Sequence, residues 1–507
     1  MFMASAVVIG GGVGGLSAAL RLAAAGVKTT LVERSDHLGG KLRTLTVGEH
    51  EVPAGPTVTT MPWVFEELFA AAGARLDDHV RLRRIDPIAR HVFADGSVLD
   101  LHSDEQRSAA AIERFAGARE AEGYLRFRRY CARIYDAVVG PFMRRPPPKL
   151  GDFFSLRALR EAAALTKIDA MRSMWSALGD FFEDPRLTAL FGRYATYVGS
   201  NPTRAPATLH VIAHVEAAFG VHAVEGGFES LPRAIAARFV ALGGEVRLRA
   251  DAARVLVSGG GVTGVELADG ERLGADVVVF GGEPEALERM LGATSVPPRS
   301  DPSLSAFLVL AVAEGLGPSL AHHTVFFPER YLSEHEDLFD RRRTPRDPTV
   351  YVCARDRGAS DSLPPAKGER LLLLTNAPGG ASFPTSEDQA CRTLLLETLA
   401  RRGLPLSQAI TAERIVTPRH WAALHPESGG SIYGQAQSSP WAALQRPSNA
   451  HPKVKGLYRV GGSTHPGAGV PMVALSADIA VTQALAELST SRRSTPFRRA
   501  TDTPGGT

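Results

Sequence analysis

The chain has 507 residues, 44% of them hydrophobic and 22% charged, which is long and apolar enough to bury its own interior and excludes a disordered protein. Lys and Arg number 57 against 54 Asp and Glu, and a net charge of +3 argues against a nucleic-acid partner. The cysteines Cys131, Cys353 and Cys391 are scattered, forming neither a metal-ligand spacing nor a disulfide framework, so a reducing cytoplasmic setting and no metal are expected.

No signal peptide is expected at the amino terminus. Apolar runs such as residues 306–313 stop well short of the roughly 18–20 residues of a spanning helix, so no membrane crossing is expected either. Fifty glycines and 34 prolines without a repeat suit a loop-rich α/β enzyme.

In chain order, Ala6-Val7-Val8-Ile9 reads as a buried parallel strand. It runs into Gly10-Gly11-Gly12-Val13-Gly14-Gly15, then a helix over 16–25 closed by Gly26, then a strand over 27–32 with Glu33 at its end. In this order Gly10 makes a tight turn, Gly12 lets backbone approach a pyrophosphate, and Gly15 lets helix and strand pack closely. The helix N-terminus favours the phosphates, and Glu33 can accept from a ribose diol while repelling a 2′-phosphate, which disfavours NADP. The same spacing recurs at Gly259, Gly261 and Gly264. There both flanks look like strands and no helix follows, so a β-hairpin turn is expected and only one dinucleotide site.

After Glu33 come Arg34, four further residues to Gly39-Gly40, then Lys41-Leu42-Arg43-Thr44, a glycine pair followed by charge that can neutralise phosphate. Gly55-Pro56-Thr57-Val58 follows. Residues 101–220 read as helices with aromatic and arginine residues interleaved, as in residues 124–130 and 141–148, and such a face can lie on a membrane or be an ordinary solvated face. A helix ending near Gly243, strands at 245–248 and 254–257, the hairpin and a strand at 276–280 return the chain to the nucleotide portion. Near the end, the strand at 456–460 opens into Gly461-Gly462-Ser463-Thr464-His465-Pro466-Gly467-Ala468-Gly469-Val470-Pro471-Met472 and a helix over 473–488, again an anion-friendly N-terminus. The tail from 489 is expected to be disordered.

The run from Glu33 to Thr44 resembles the Gly-Gly motif of the FAD-dependent amine oxidase and carotenoid desaturase superfamily, with Lys41 where arginine is usual. Gly55-Pro56-Thr57 resembles the segment that meets the flavin in carotenoid desaturases, with Pro53 where an acid is common. The closing motif resembles bacterial carotenoid desaturases of the phytoene desaturase type, over residues 6–488. The stretches Phe191 to Gly199, Ala321 to Phe327 and Gly430 to Gly434 point within that family to the hydroxycarotenoid 3,4-desaturases, or methoxyneurosporene dehydrogenases.

The resemblance implies an α/β fold. A discontinuous Rossmann-type FAD-binding domain (1–100, 221–284 and 446–488) interleaves with a helical substrate or membrane-facing region (101–220) and an α+β substrate domain (285–445). FAD would be held by Gly10, Gly12, Val13, Gly14, Gly15, Glu33, Arg34, Gly40, Lys41, Leu42, Arg43, Gly55, Pro56, Thr57, Ala252, Gly461, Gly462, Gly469, Val470, Pro471 and Met472. Tyr194, Tyr197, His322, His323 and Tyr433 would face the substrate.

The implied reaction is C-3,4 desaturation of a 1-hydroxy- or 1-methoxycarotenoid, with hydride passing to flavin N5 and a proton to a base or water. The flavin carries the hard step, so no set of catalytic residues is demanded. His465 is the candidate base, with a structural role in its turn as the alternative. A quinone or oxygen would reoxidise the flavin, and a substrate dissolved in lipid implies peripheral membrane association. Alternatives within the fold are a phytoene desaturase and a carotenoid isomerase or saturase. More distant ones are a flavin amine oxidase and a non-enzymatic escort for prenyl lipids.

Overall fold

The computed structural model describes residues 4–147, 168–317, 319–358, 365, 367–380, 383–440, 442 and 445–494. Ser5–Ile9 lies in a five-stranded parallel sheet, in the order Leu457–Arg459, Val277–Phe280, Ser5–Ile9, Lys28–Val32 and Glu245–Arg247. Every residue of Val277–Phe280 is buried, as a strand covered on both faces requires. The first and last strands of the described chain thus share one sheet, separated by one strand.

The opening helix spans Val13–Ala24, beginning before residue 16 because glycines are tolerated in a first turn whose N–H groups need no helical acceptor. Gly26 at φ +78° follows its C-cap, Ala25. The closing helix spans Val470–Ser494, with Pro471 in its first turn, where proline costs no hydrogen bond. It does not stop at Leu488. Ser489 and Thr490 donate their hydroxyls back to Ala486 O, so the tail expected from 489 begins as helix, and residues 495–507 lie outside the described residues.

Ala252–Ser258 and Gly261–Leu267 pair antiparallel across Gly259-Gly260, so the second glycine triplet forms the expected hairpin. A seven-stranded mixed sheet runs in the order Ile410–Val416, Ser305–Ala313, Glu369–Ala377, Val350–Ala354, His323–Phe326, Ala89–Val92 and Val98–Leu101. Residues 89–100, expected with the nucleotide portion, instead extend this sheet. Thr324 to Phe326 pair in parallel with Arg90 to Val92, a partnership between distant segments that local pattern does not reveal.

Side chains alternate along Ser305–Ala313. Phe307, Val309 and Ala311 pack with Leu395 and Leu399 of the helix Glu387–Arg401, while Ala306 and Leu308 face a cavity.

The helix Ala118–Val138 turns Tyr124, Phe127 and Tyr130 into the core against Phe181, Phe182 and Phe191, leaving Arg126 and Arg129 exposed. Its aromatic residues therefore do not form an outward lipid-facing surface. Among the described residues, Val470–Thr490 is long and apolar enough to cross a membrane by length and composition. Its Ala474, Leu475, Ala477, Ala480, Val481 and Ala484 belong instead to the core cluster that includes Leu16 and Leu20.

Candidate functional site

A cavity of about 1470 Å³ lies where the parallel sheet, the helical region and the seven-stranded sheet meet. Single-ligand pockets run to roughly 1,000 Å³, so this space can take a second molecule beside a cofactor. One end is built from glycine. Gly10 has φ +100°, the turn only glycine makes freely. A Cβ at Gly15 would stand 2.0 Å from Gly10 O, so this position must lack a side chain for the helix to pack. Gly12 differs: a Cβ there meets no protein atom within 4 Å and would project into the space the residue lines. A cradle that one methyl group would fill is the fit expected for a dinucleotide pyrophosphate.

The closing helix contributes a second N-terminus. Val470, Pro471 and Met472 line the same cavity as Val13 and Gly14, and a Cβ at Gly14 would reach within 2.9 Å of Val473 Cγ1. Two helix N-termini thus converge on one space, and both favour an anion. Glu33 accepts from Gly11 N at 2.6 Å and from Ser35 N and Oγ at 2.9 and 2.8 Å, fixing the acid beside the glycine turn. Of the expected cofactor contacts, all line the cavity except Gly15 and Arg43. Gly15 serves packing, and Arg43 turns away to His37, 3.1 Å from its Nε2.

Beside the cradle lies a buried charge cluster that sequence reasoning missed. Glu283 is 2.6 Å from Arg299 and 3.7 Å from Lys41 Nζ, and it accepts from Ser463. Burial works to raise its pKa, but Lys41 and Arg299 outweigh burial and hold it at about 2. Lys41 Nζ also donates to Ile432 O at 2.8 Å, which ties the cradle to the substrate side; burial pushes its pKa down. Arg446 donates to Gly462 O at 2.7 Å and props the closing loop, with burial pushing its pKa down to about 10. The position of Glu283, just past Val277–Phe280 and a glycine pair, was the available signal.

The other end of the cavity is apolar, with Phe142, Met143, Leu209, Ile212, Val215 and Leu308 on its walls. Met171 lines it and is 78% exposed. Tyr197 and Tyr433 are on the wall, as expected. Tyr194 is not: it lies behind, donating to Glu216 at 2.6 Å. His322 and His323 also sit behind the wall. His323 Nδ1 is 2.8 Å from Tyr351 Oη, which is 2.6 Å from Thr57 Oγ1, and both Tyr351 and Thr57 line the cavity. Burial holds the His323 pKa well below its usual value, so the ring is neutral.

His322 donates from Nδ1 to Arg357 O at 2.8 Å. Antiparallel pairing sets His323 opposite Cys353, so ligand-type atoms of His322, His323 and Cys353 come within 4.8 Å, a cluster that their sequence spacing conceals. Burial pushes the Cys353 thiol up to about 12. His465 is likewise off the wall. It is buried, its Nε2 lies 2.7 Å from Arg145 O, and Asn449 Nδ2 and Ser476 Oγ donate to its carbonyl, the bonds of a residue shaping its turn.

The family profile described as "Flavin containing amine oxidoreductase" matches residues 13–485. The chain is 41% identical to a hydroxyneurosporene desaturase of Rubrivivax gelatinosus over 498 residues, 96% of this chain and 94% of that protein. It is 40% identical to a hydroxyneurosporene desaturase of Cereibacter sphaeroides, covering 96% of this chain and 98% of that one. Among solved structures, a putrescine oxidase bound to putrescine superposes with a TM-score of 0.60 over 96% of this chain and 99% of its own, at 15% identity, a likeness of fold. The glycine cradle, the second helix N-terminus and these relatives agree, and the chain belongs to the flavin-containing amine oxidoreductase family as an FAD-dependent oxidoreductase.

Proposed function

We propose that the protein desaturates a carotenoid, removing hydrogen from the C-3,4 bond of a 1-hydroxy- or 1-methoxycarotenoid. The observation that carries this reading is a cavity continuous from the glycine cradle into an apolar compartment, a shape suited to a hydrocarbon lying against a cofactor. The names of the relatives, hydroxyneurosporene desaturases at about 40% identity over nearly the whole chain, support the substrate class.

Gly10, Gly12, Val13, Gly14 and the segment Gly469 to Met472 would hold the pyrophosphate of FAD. Glu33 would take the ribose, Ala252 the adenine side, and Lys41 with Gly55, Pro56 and Thr57 the ring side. When bound, FAD supplies the acceptor for the hydride. The apolar walls exclude water and align the chain. Tyr351 lines the cavity, and its hydroxyl is bonded to Thr57 and to the neutral imidazole of His323, which would hold this part of the wall in place against the substrate. The departing proton would pass to a base or to water.

Residues 5–47, 230–290 and 446–494 would form the FAD domain and the seven-stranded sheet the substrate domain. Entry would be from a lipid surface at Met171, making the protein peripherally membrane-associated, with a quinone or oxygen as the terminal acceptor. The test is to supply the purified flavoprotein with 1-hydroxyneurosporene, lycopene and phytoene separately in liposomes and separate the products by chromatography. Conversion of the hydroxylated substrate is expected; conversion of phytoene alone overturns the reading. Flotation with anionic liposomes tests the surface, and no binding overturns the membrane entry.

A further inference from the structure

The floor of the apolar compartment is one face of the seven-stranded sheet. Along Glu369–Ala377, Leu372, Leu374 and Asn376 alternate onto that face and line the cavity. Ala306 and Leu308, opposite Asn376 and Leu374 on the neighbouring strand, line it too. Asn376 thus puts a carboxamide where the row otherwise carries leucine. It is partly exposed, and the space it borders is the cavity.

The amide is oriented. Its Nδ2 donates to Glu334 Oε1 at 3.1 Å. Glu334 Oε2 accepts from Thr349 N at 3.0 Å and from Thr349 Oγ1, so both oxygens of this buried carboxyl are taken up by donors. A carboxylate only accepts, which turns the nitrogen of Asn376 toward Glu334 and its oxygen away. Asn376 Oδ1 has no hydrogen-bond partner among the described residues, and it is not closed off by burial. An amide oxygen open to an apolar compartment calls for a donor on the molecule that fills it.

We propose that Asn376 selects the substrate by accepting a hydrogen bond from a hydroxyl at the end of the carotenoid. This inference rests on the reading of the protein as a carotenoid desaturase. A tertiary alcohol donates to Oδ1, whereas a methyl ether and a hydrocarbon end have no proton to give. The site therefore prefers the 1-hydroxy substrate to both. Position agrees with the reaction. Asn376 stands two residues along the strand from Leu374, about 7 Å. From the C-3,4 bond through the C1 hydroxyl to its acceptor is about the same length. The reacting bond would then lie over Leu374 and its cross-strand neighbour Tyr351, which is bonded to Thr57 in the segment assigned to the ring side of the cofactor. One hydrogen bond would both choose the end group and set which carbon pair reacts.

The test measures kcat/KM for 1-hydroxyneurosporene, 1-methoxyneurosporene and neurosporene in liposomes. Assays run at pH 8, because burial pushes the Glu334 pKa up to about 7 and the carboxylate must be present to hold the amide. Wild type is expected to favour the alcohol about 100-fold over neurosporene and about tenfold over the ether. Asn376→Leu, which completes the leucine row, and Asn376→Ala, which adds no bulk, should bring both ratios to within about threefold of one. Both should also spread the products beyond the C-3,4 bond. All rates come from one preparation, so a loss of fold or flavin lowers every rate and leaves the ratios unchanged. Wild type that converts the ether or neurosporene as well as the alcohol, or a variant that keeps the preference, overturns the role of Asn376 and leaves the desaturase reading standing. Wild-type flavoprotein that converts none of the three overturns that reading instead.

Discussion

Gly10 to Gly15 and Gly259 to Gly264 carry the same glycine spacing and end in different structures. In the first, the third glycine packs against the carbonyl of the first, the second faces the cavity and a helix begins at Val13. In the second, a Cβ at Gly264 would strike Leu273 O of the neighbouring strand at 2.2 Å, and Gly259 and Gly260 form an open turn. The glycines permit either outcome. Their neighbours decide: Leu16-Ser17-Ala18-Ala19-Leu20 favours helix, whereas Val262-Thr263 and Val265-Glu266-Leu267 alternate β-branched and polar residues as a strand does.

The contrast can be broken at its most crowded point. Gly15→Val has no space beside Gly10 O, so the turn must open; we expect a loss of about 3 kcal/mol in unfolding free energy and loss of bound flavin, read by denaturant melts and flavin absorbance. If the variant binds flavin normally, the cradle is not at this turn.

The charge beside the cradle gives the next effect. Glu283 has a folded pKa of about 2 against an ordinary 4.5, so its contribution to stability is complete above about pH 4.5 and is lost as pH falls toward 2. That contribution is roughly 3 kcal/mol, and Glu283→Gln should flatten this part of the stability–pH curve in melts across the range.

Gly12→Ala should separate fold from function. Its Cβ meets no protein atom, so the melting temperature stays within a few degrees, while flavin affinity falls about 10- to 100-fold by equilibrium titration because the methyl group takes cofactor space. The smallest effect belongs to the hairpin. Gly260→Ala, at φ +79° with nothing nearby, should cost about 1 kcal/mol in a melt and leave flavin binding unchanged. Flavin loss there would erase the distinction between the two motifs.

Much of the nucleotide end was legible because its determinants are local. A strand, a turn, a helix and a terminal acid lie within the first 33 residues, and each has its own pattern in the chain. The helix starts came earlier than their apolar periods indicated, because a first turn tolerates Gly14, Gly15 and Pro471. Residues 89–101 were misplaced for the opposite reason: their strands exist locally, but their sheet is chosen by His323–Phe326, more than two hundred positions away. Tyr194 and Tyr197 look equivalent in sequence, yet Tyr197 lines the cavity while Tyr194 is drawn to Glu216 and does not.

The sequence by itself determined the family, the FAD cofactor, the glycine turn and the parallel sheet that both ends of the described chain enter, since short-range spacing and apolar runs encode them. Only the tertiary structure decided which polar groups meet inside the apolar cavity. Glu283 finds Lys41, Tyr351 finds Thr57 and His323, and Asn376 finds Glu334. Each depends on contacts between segments far apart in the chain, and no local period records a contact at that range.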